Sequence, residues 1–190
     1  MRLRFRRGIQ GDADAIAELY LRARMAAIPA IPMMVHTDEE TRLWVSSRVV
    51  PHAEVWVAET DDESVVGMLV LRDDWVDQLY VEPALTGQGI GSQLISVAKR
   101  QRPLGLRLWT FESNLHAQRF YERHGFEARD RTAGENEEGA PDILYVWDGG
   151  PTAPRSPFRS PSLAASRSWK RSSTRWMVSG LVQAKPVHPQ

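Results

Sequence analysis

Apolar residues in the first 150 positions recur with two periods, one typical of strands and one typical of helices. Leu3 and Phe5 alternate with arginines, which predicts a first strand, whereas Ile16, Leu19 and Ala23 recur at the spacing of a helix face. The pattern predicts strands around 3–5 and at 54–59, 64–72, 75–81, 106–111, 126–132 and 143–147. It predicts helices at 12–25, from Thr37 onward, at 90–101 and at 114–124.

Local signals support several of these boundaries. Thr37 and Glu40 form a capping-box pattern, which opens the second helix. The acidic turn at 60–63 separates two runs rich in Val, Leu and Met, so these runs are predicted to form a hairpin. Gly125 suits the left-handed position that follows a helix. The mixed order of strands and helices favours an α/β domain without internal repeats.

The composition changes near Gly149 and Gly150. Residues 151–190 contain eight serines, six prolines, seven basic residues and no acidic residue, whereas the first 150 positions hold 17 basic and 24 acidic residues. We therefore divide the chain into a domain at 1–150 and a basic tail at 151–190, which we expect to be disordered. The tail could contact RNA or an anionic surface, or it could be solvated and without function. We assign it no chemistry and expect no nucleic-acid partner for the domain.

Several function classes are excluded by what the sequence lacks. The absence of cysteine excludes disulfide scaffolds, thiol nucleophiles and Cys-ligated metals. No run of 18 apolar residues is present, so we expect no membrane span. The basic N-terminus is not followed by an apolar stretch, so we expect no secretory signal. These features together fit a cytoplasmic protein.

One glycine-rich segment carries the candidate chemistry. A predicted strand ends at Val81, and Gly87, Gly89 and Gly91 follow it at the start of the helix predicted at 90–101. Glycines let a ligand approach the backbone closely. The first turn of a helix leaves about four amide groups unpaired at the positive end of the helix dipole. The segment therefore predicts an anion site that fits a phosphate or pyrophosphate.

The glycine spacing matches neither of the two common nucleotide motifs. The dinucleotide fingerprint would need a third glycine at Ser92 or Leu94, depending on the register, and the Walker motif would need a Gly-Lys-Ser/Thr sequence. Taken alone, a Gly-x-Gly-x-Gly run is as typical of a structural turn as of a ligand site.

A second predicted element, the helix at 114–124, favours a ligand site over a structural turn. Asn114 and Tyr121 lie seven residues apart on one predicted helix face, with the small Ala117 between them. On its own, Tyr121 is more typical of a core tyrosine than of a site residue. Each of the two segments follows a predicted strand, and together they favour a ligand site more than either segment does alone.

Together the two segments resemble the GCN5-related N-acetyltransferase (GNAT) superfamily. The resemblance rests on Val81-Glu82-Pro83, on Thr86-Gly87-Gln88-Gly89-Ile90-Gly91 and on the run from Asn114 through Phe126. One position departs from the family pattern, because Thr86 stands where the family usually has Arg or Gln. The resemblance implies a GNAT fold, with a central mixed, mostly antiparallel sheet of about seven strands flanked by four helices. It also implies that the fourth and fifth strands splay apart.

The same resemblance implies an activity and a set of site residues. GNAT enzymes transfer the acetyl group of acetyl-CoA to an amine, here by direct attack in a ternary complex. The backbone amides of Gln88 to Gly91 would hold the pyrophosphate, and the backbones of Leu79 and Val81 would pair with the pantetheine arm. Asn114 would bond to the pantetheine, and Tyr121 would protonate the departing thiolate. The predicted cofactor-binding residues are Leu79, Tyr80, Val81, Thr86, Gly87, Gln88, Gly89, Ile90, Gly91, Asn114 and Tyr121.

The general base and the acceptor side are less closely defined. Asp77 is our candidate base, because strand alternation would place it on the same face as Leu79. Asp74 and Glu82 flank the same strand and remain alternatives. His36 and the acidic loop at 134–142 are candidates for the acceptor side, and an ordinary solvated loop is an equal alternative for both.

The identity of the acceptor and the oligomeric state stay open at this stage. The acceptor could be a small-molecule amine or a protein amine, and a homodimer is compatible with the sequence. His116 and His124 are eight residues apart without a third ligand nearby, so we predict no metal. The rival hypothesis is a GNAT fold that binds acyl-CoA as a sensor or interaction module without turnover.

Overall fold

A single mixed sheet of seven strands forms the centre of the domain. The computed structural model describes residues 2–150, and the predicted tail at 151–190 lies outside the described residues. The strands are arranged in the order β1-β2-β3-β4-β5-β7-β6. Every neighbouring pair is antiparallel except β4 and β5, which run parallel. The strands are β1 (Leu3–Arg7), β2 (Glu54–Thr60), β3 (Val65–Arg72), β4 (Trp75–Val81), β5 (Leu106–Phe111), β6 (Glu127–Thr132) and β7 (Asp142–Trp147).

Four helices flank this sheet, as predicted. They are α1 (Ala13–Ala26), α2 (Asp38–Trp44), α3 (Ile90–Gln101) and α4 (Leu115–Arg123). Helix α2 continues through a π-helical turn (Val45–Val49) into a last α-helical turn (Val50–His52).

The predicted capping box at the start of α2 is confirmed. Thr37 Oγ1 accepts a bond of 3.2 Å from the Glu40 amide, and Glu40 Oε2 accepts one of 2.8 Å from the Thr37 amide. Two of the unpaired donors at the helix start are thereby satisfied.

The two faces of the sheet bury different sets of side chains. On one face, the apolar stripe of α1 packs with α2 against β2 and β3, where Val57, Met68 and Val70 are fully buried. On the other face, Ile90 and Leu94 of α3 pack against Leu69 and Leu79. Alternation along the strands sends successive side chains to opposite faces. In β4, therefore, Leu79 and Val81 belong to the α3 side, and Tyr80 belongs to the α1 side.

Strands β4 and β5 separate almost as soon as they meet. In the described part of the chain, Trp75 and Arg107 form the one register pair between them. On its other edge, β4 stays paired with β3 as far as Val81, which lies opposite Gly67. The edge of β4 that faces β5 is therefore free of sheet pairing toward its C-terminal end. This wedge is the splay that the family resemblance implies.

The position of α3 depends on close contact with β3 at Gly67. A Cβ atom at this position would stand 3.0 Å from Ile90 Cγ2 and 3.1 Å from both Leu94 Cδ1 and Ala58 Cβ. These are side chains of a closely packed core with little free volume. The missing side chain of Gly67 is what lets α3 lie this close to the sheet.

We expect Gly67→Val to destabilise the domain, because three added carbons would have to displace Ile90 and Leu94. Overpacking of this kind typically costs about 1–3 kcal/mol. The matched control is Gly11→Val, where the nearest atom to an added Cβ is Ile9 Cδ1 at 3.9 Å. The free energy of unfolding from denaturant titration measures both variants. Equal stability of the Gly67 variant and the parent would contradict the close packing.

Candidate active site

The segment between β4 and α3 is shaped by two left-handed glycines. Gly87 and Gly89 have φ angles of +81° and +84°, which only glycine adopts without strain. No atom lies within 4 Å of the position that a Cβ would take at either residue. The backbone here is therefore open on the side where side chains would otherwise stand.

Unpaired amides lie at the start of α3. The first bond of the helix joins the Gln93 amide to the Gly89 carbonyl at 3.1 Å. The amides of Ile90, Gly91 and Ser92 precede this bond and have no partner along the helix. The positive end of the helix dipole coincides with them. The Gln88 amide differs, because it donates to the Leu85 carbonyl at 3.4 Å within the preceding turn.

A cavity of about 180 Å³ lies in front of these amides. Helix α4 forms its other wall and contributes Arg123, whose guanidinium has no carboxylate partner among residues 2–150. Unpaired amides, a helix dipole and a cation therefore converge on one space, which suits an anion. The lining residues are Val81, Leu85, Thr86, Gly87, Gly89, Ile90, Gly91, Ser92, His116, Phe120 and Arg123.

Asn114 lies at the start of α4, where one of its two side-chain polar atoms is hydrogen-bonded. Its Oδ1 atom accepts a 3.0 Å bond from the Ala117 amide and so caps the helix. Its Nδ2 atom is buried and has no hydrogen-bond partner. A buried donor without a partner is costly, so this NH₂ group is suited to a ligand.

Tyr121 is buried among aromatic rings. Its ring lies 5.6 Å from Phe126 and 6.2 Å from Tyr145, measured between centroids. Burial raises the pKa of the phenol above its ordinary value of 10.0. The hydroxyl is therefore protonated at neutral pH and can serve as a proton donor.

Asp77 lies at an irregularity of β4. Val76 and Gln78 pair with Leu71 and Val70 of β3, which leaves Asp77 as the extra residue of a β-bulge. Regular alternation therefore does not by itself fix its face relative to Leu79. Its Oδ2 atom lies 2.8 Å from Arg72 Nε.

The Asp77 carboxyl has an unusual titration. Burial raises the pKa to about 7, although the Arg72 guanidinium opposes this rise. The Oδ1 atom is buried without a hydrogen-bond partner. Both alternative bases are in ion pairs, Glu82 with Arg22 at 2.8 Å and Asp74 with Arg107.

A second cluster of charges lies on the α1 side of the sheet. His36 Nε2 is 2.9 Å from Glu137 Oε2, and Arg24 Nη2 is 3.0 Å from Glu138 Oε1. The β6–β7 loop thus contacts α1 and the segment before α2 through two of its glutamates. The sequence left a solvated loop at 134–142 open as an alternative, whereas in the structure these two carboxylates have protein partners.

The predicted cofactor-binding residues do not all line the cavity. Val81, Thr86, Gly87, Gly89, Ile90 and Gly91 line the cavity at the start of α3. Leu79 and Tyr80 lie in β4, whereas Asn114 caps the start of α4 and Tyr121 lies within it. Gln88 is exposed and lies outside the cavity lining.

Sequence reasoning missed Arg123, Ser92 and the Arg24–Glu138 pair. Arg123 is seven residues after His116 on one helix face, so its spacing was a usable signal. Arg24 is four residues after Tyr20, which places a cation on the apolar stripe of α1. Nothing in the sequence distinguishes Glu138 from its neighbouring loop glutamates.

Two further properties concern metals and membranes. Among the described residues, no group of three or more His, Asp or Glu side chains is placed to hold a metal ion. Within residues 2–150, no helix combines the length and the apolar character that a membrane crossing requires.

The chain is similar to known acetyltransferases in sequence. A family model described as an acetyltransferase (GNAT) domain matches residues 51–128. An amino-acid acetyltransferase of Mycobacterium tuberculosis is 34% identical over 141 residues, which cover 67% of this chain and 74% of that protein. The peptidyl-lysine N-acetyltransferase YjaB of Salmonella typhimurium is 37% identical over 86 residues, or 45% of this chain.

The match to YjaB is partial. It spans 59% of the Salmonella protein and 55% of the YjaB protein of Escherichia coli.

Solved structures agree with this fold. The solution structure of apo YjaB from Escherichia coli superposes with a TM-score of 0.65 at 24% identity, covering 79% of this chain and all of that one. The PaiA N-acetyltransferase of Thermoplasma acidophilum, solved in complex with coenzyme A, gives a TM-score of 0.57 at 17% identity over 78% of this chain and 99% of that one. By its fold and by its sequence relatives, the chain belongs to the GNAT superfamily of acetyltransferases.

Proposed function

We propose that this domain binds acetyl-CoA and transfers its acetyl group to a primary amine by direct attack in a ternary complex. The observation that carries the proposal is the cavity at the start of α3, where unpaired amides and Arg123 face the same space. Coenzyme A carries a pyrophosphate and a further phosphate, so it presents the anions that such a cavity suits. A relative of the same fold, PaiA, was solved with coenzyme A.

Arg123 supports the proposal at the point where the sequence departs from the family pattern. Thr86 replaces the usual Arg or Gln, and its Oγ1 atom is buried without a hydrogen-bond partner. Arg123 contributes a positive charge to the same cavity from α4. We infer that this cation binds a phosphate and offsets the contact that Thr86 cannot make.

The wedge between β4 and β5 suits the pantetheine arm. The amide and carbonyl groups of Leu79 and Val81 face β5 without sheet pairing, so an extended ligand could add to this edge as a strand does. Asn114 Nδ2 offers a buried donor for an amide carbonyl of the arm. The cavity and the wedge share Val81, so one elongated ligand can occupy both.

The chemistry assigns opposite proton roles to Tyr121 and Asp77. When bound, acetyl-CoA supplies a thioester whose carbonyl carbon forms a bond to the amine nitrogen while its bond to sulfur breaks. Tyr121 holds a proton that the departing thiolate can take. Asp77, with a pKa of about 7, is half ionised near neutral pH and can accept the proton of the attacking amine through water.

The relatives point to two classes of acceptor. One matched relative is named for peptidyl-lysine and another for amino acids. A lysine side chain in a protein and a free amino acid both present a primary amine. Such amines are almost fully charged at neutral pH, so a general base assists either reaction.

We expect Arg123→Ala to weaken coenzyme A binding about tenfold, because one charge-assisted contact to phosphate is lost. The control is Arg119→Ala, which removes the same charge from the same helix but lies outside the cavity lining. Isothermal titration calorimetry with coenzyme A measures both variants and the parent. If the parent binds no coenzyme A, or if the two variants are equally weakened, the cavity is not the cofactor site.

We expect Tyr121→Phe to lower the rate of thiol release from acetyl-CoA, assayed with a panel of amines, by about tenfold or more. Coenzyme A affinity should stay unchanged, because the ring and its packing remain. Tyr145→Phe is the control, since that hydroxyl donates to Glu122 at 2.9 Å and has no assigned role. A Tyr121→Phe variant as fast as the parent would remove Tyr121 from the acid role. Coenzyme A binding without thiol release from any amine would favour the sensor hypothesis instead.

We expect the Asp77 carboxyl to titrate near pH 7 in the folded protein, against an ordinary value of 3.8. The folded state then binds a proton that the unfolded chain lacks, so the free energy of unfolding falls as pH rises from about 4 to about 7. Asp77→Asn should lose this contribution, together with the rise of kcat/KM across neutral pH. Carbon NMR titration of the carboxyl and denaturation at several pH values measure these effects. A titration near 3.8, or a pH–rate profile that the substitution leaves intact, would contradict the assignment.

A further inference from the structure

The ion pair between Arg24 and Glu138 is almost fully buried, although the stability of a folded domain does not require a buried ion pair. The Arg24 side chain is 2% exposed and the Glu138 side chain is 7% exposed. Taking two charges out of water costs several kcal/mol for each ion, and apolar residues of similar volume are often as stable or more so. A buried pair in this place therefore asks for an explanation other than folding.

The pair is also incompletely bonded. Arg24 Nη2 contacts Glu138 Oε1 at 3.0 Å and the Pro32 carbonyl at 3.4 Å. Arg24 Nε and Glu138 Oε2 are both buried and have no hydrogen-bond partner. A guanidinium can bind a carboxylate through two parallel bonds, and this one uses a single contact. Each member of the pair thus keeps an unused atom for an additional group.

The surroundings connect the pair to the proposed reaction centre. Arg24, Glu138 and Tyr20 line one small cavity on the α1 side of the sheet. The Tyr20 ring lies 4.9 Å from that of Tyr80, and Tyr80 follows Leu79 in β4 with its side chain on the α1 side. The pair therefore stands on the opposite face of the strand from α3, beside the edge proposed to hold the thioester.

We propose that Arg24 and Glu138 recognise the acceptor, and that the acceptor is a free amino acid. The carboxylate pairs with Arg24, and the ammonium group pairs with Glu138 before it loses its proton. The inference rests on the proposed acetyl transfer and adds to it the class of acceptor. A lysine side chain on a protein surface has no carboxylate for Arg24.

The size of the cavity adds a structural requirement. Its volume of about 10 Å³ is close to that needed by one water molecule, so an amino acid cannot enter without a shift of the walls. Glu138 belongs to the β6–β7 loop, and the acceptor would insert between it and Arg24. Two new ion pairs then replace one, so both buried charges remain paired throughout.

The first arm of the test uses the parent protein. Thiol release from acetyl-CoA is measured with the twenty free amino acids and with the matching amino-acid amides, which lack the carboxylate. We expect kcat/KM for at least one free amino acid to exceed that of its amide about 100-fold or more, because the amide leaves Arg24 without a partner. Equal rates for acid and amide, no reaction with any free amino acid, or reaction with lysine peptides alone would each overturn the proposal.

The second arm uses the double variant Arg24→Gln and Glu138→Gln. It removes both charges together, so no buried charge is left unpaired and folding is preserved. We expect the preference for acid over amide to fall to about threefold or less, while coenzyme A affinity stays within about twofold of the parent. Arg22→Gln, an exposed position on the same helix, is the control and should keep the preference. A preference that survives in the double variant would overturn the assignment of these two residues.

The two experiments also distinguish a failure of this acceptor proposal from a failure of the proposed acetyl transfer on which it rests. Failure of the parent to bind coenzyme A or to release thiol with any amine would refute the proposed function itself. Transfer to amines without regard to a carboxylate would leave that function standing and refute only the acceptor class.

Discussion

The arrangement of the domain depends on an interruption in the hydrogen bonding of its central sheet, between β4 and β5. Strands β4 and β5 are adjacent and parallel, yet among the described residues their register pairing is limited to Trp75 and Arg107. A sheet normally pairs its backbone groups fully, because unpaired groups are costly when buried. Here the unpaired edge of β4 lies between the two halves of the sheet. The start of α3, the end of α4 and the buried charges of α1 are all arranged around this edge.

Two different electrostatic environments flank that edge. On the α3 side, the positive character comes mainly from the backbone, through the amides of Ile90, Gly91 and Ser92, and Arg123 adds one side-chain charge. On the α1 side, opposite side-chain charges are paired in the interior, where the low dielectric strengthens their interaction.

Much of the fold could be predicted from the sequence because its signals are local. The capping box at Thr37, the left-handed glycines and the alternating strands act within a few residues of one another. Most of the anion site follows from the same kind of signal. The β-bulge at Asp77 could not be predicted, because it depends on how β4 meets β3 across the hairpin. The Arg24–Glu138 pair spans 114 positions of sequence, and only the folded chain brings its two residues together.

The wedge is bounded on two sides by contacts between the parts of the chain that flank it. Trp75 and Arg107 form one side, and the opposite side consists of Ala27 and Ile31 packed with Phe111, reinforced by a 2.9 Å bond from Ser113 Oγ to the Ala30 carbonyl. The separation of β4 and β5 is therefore set by contacts within the chain on both sides of the wedge.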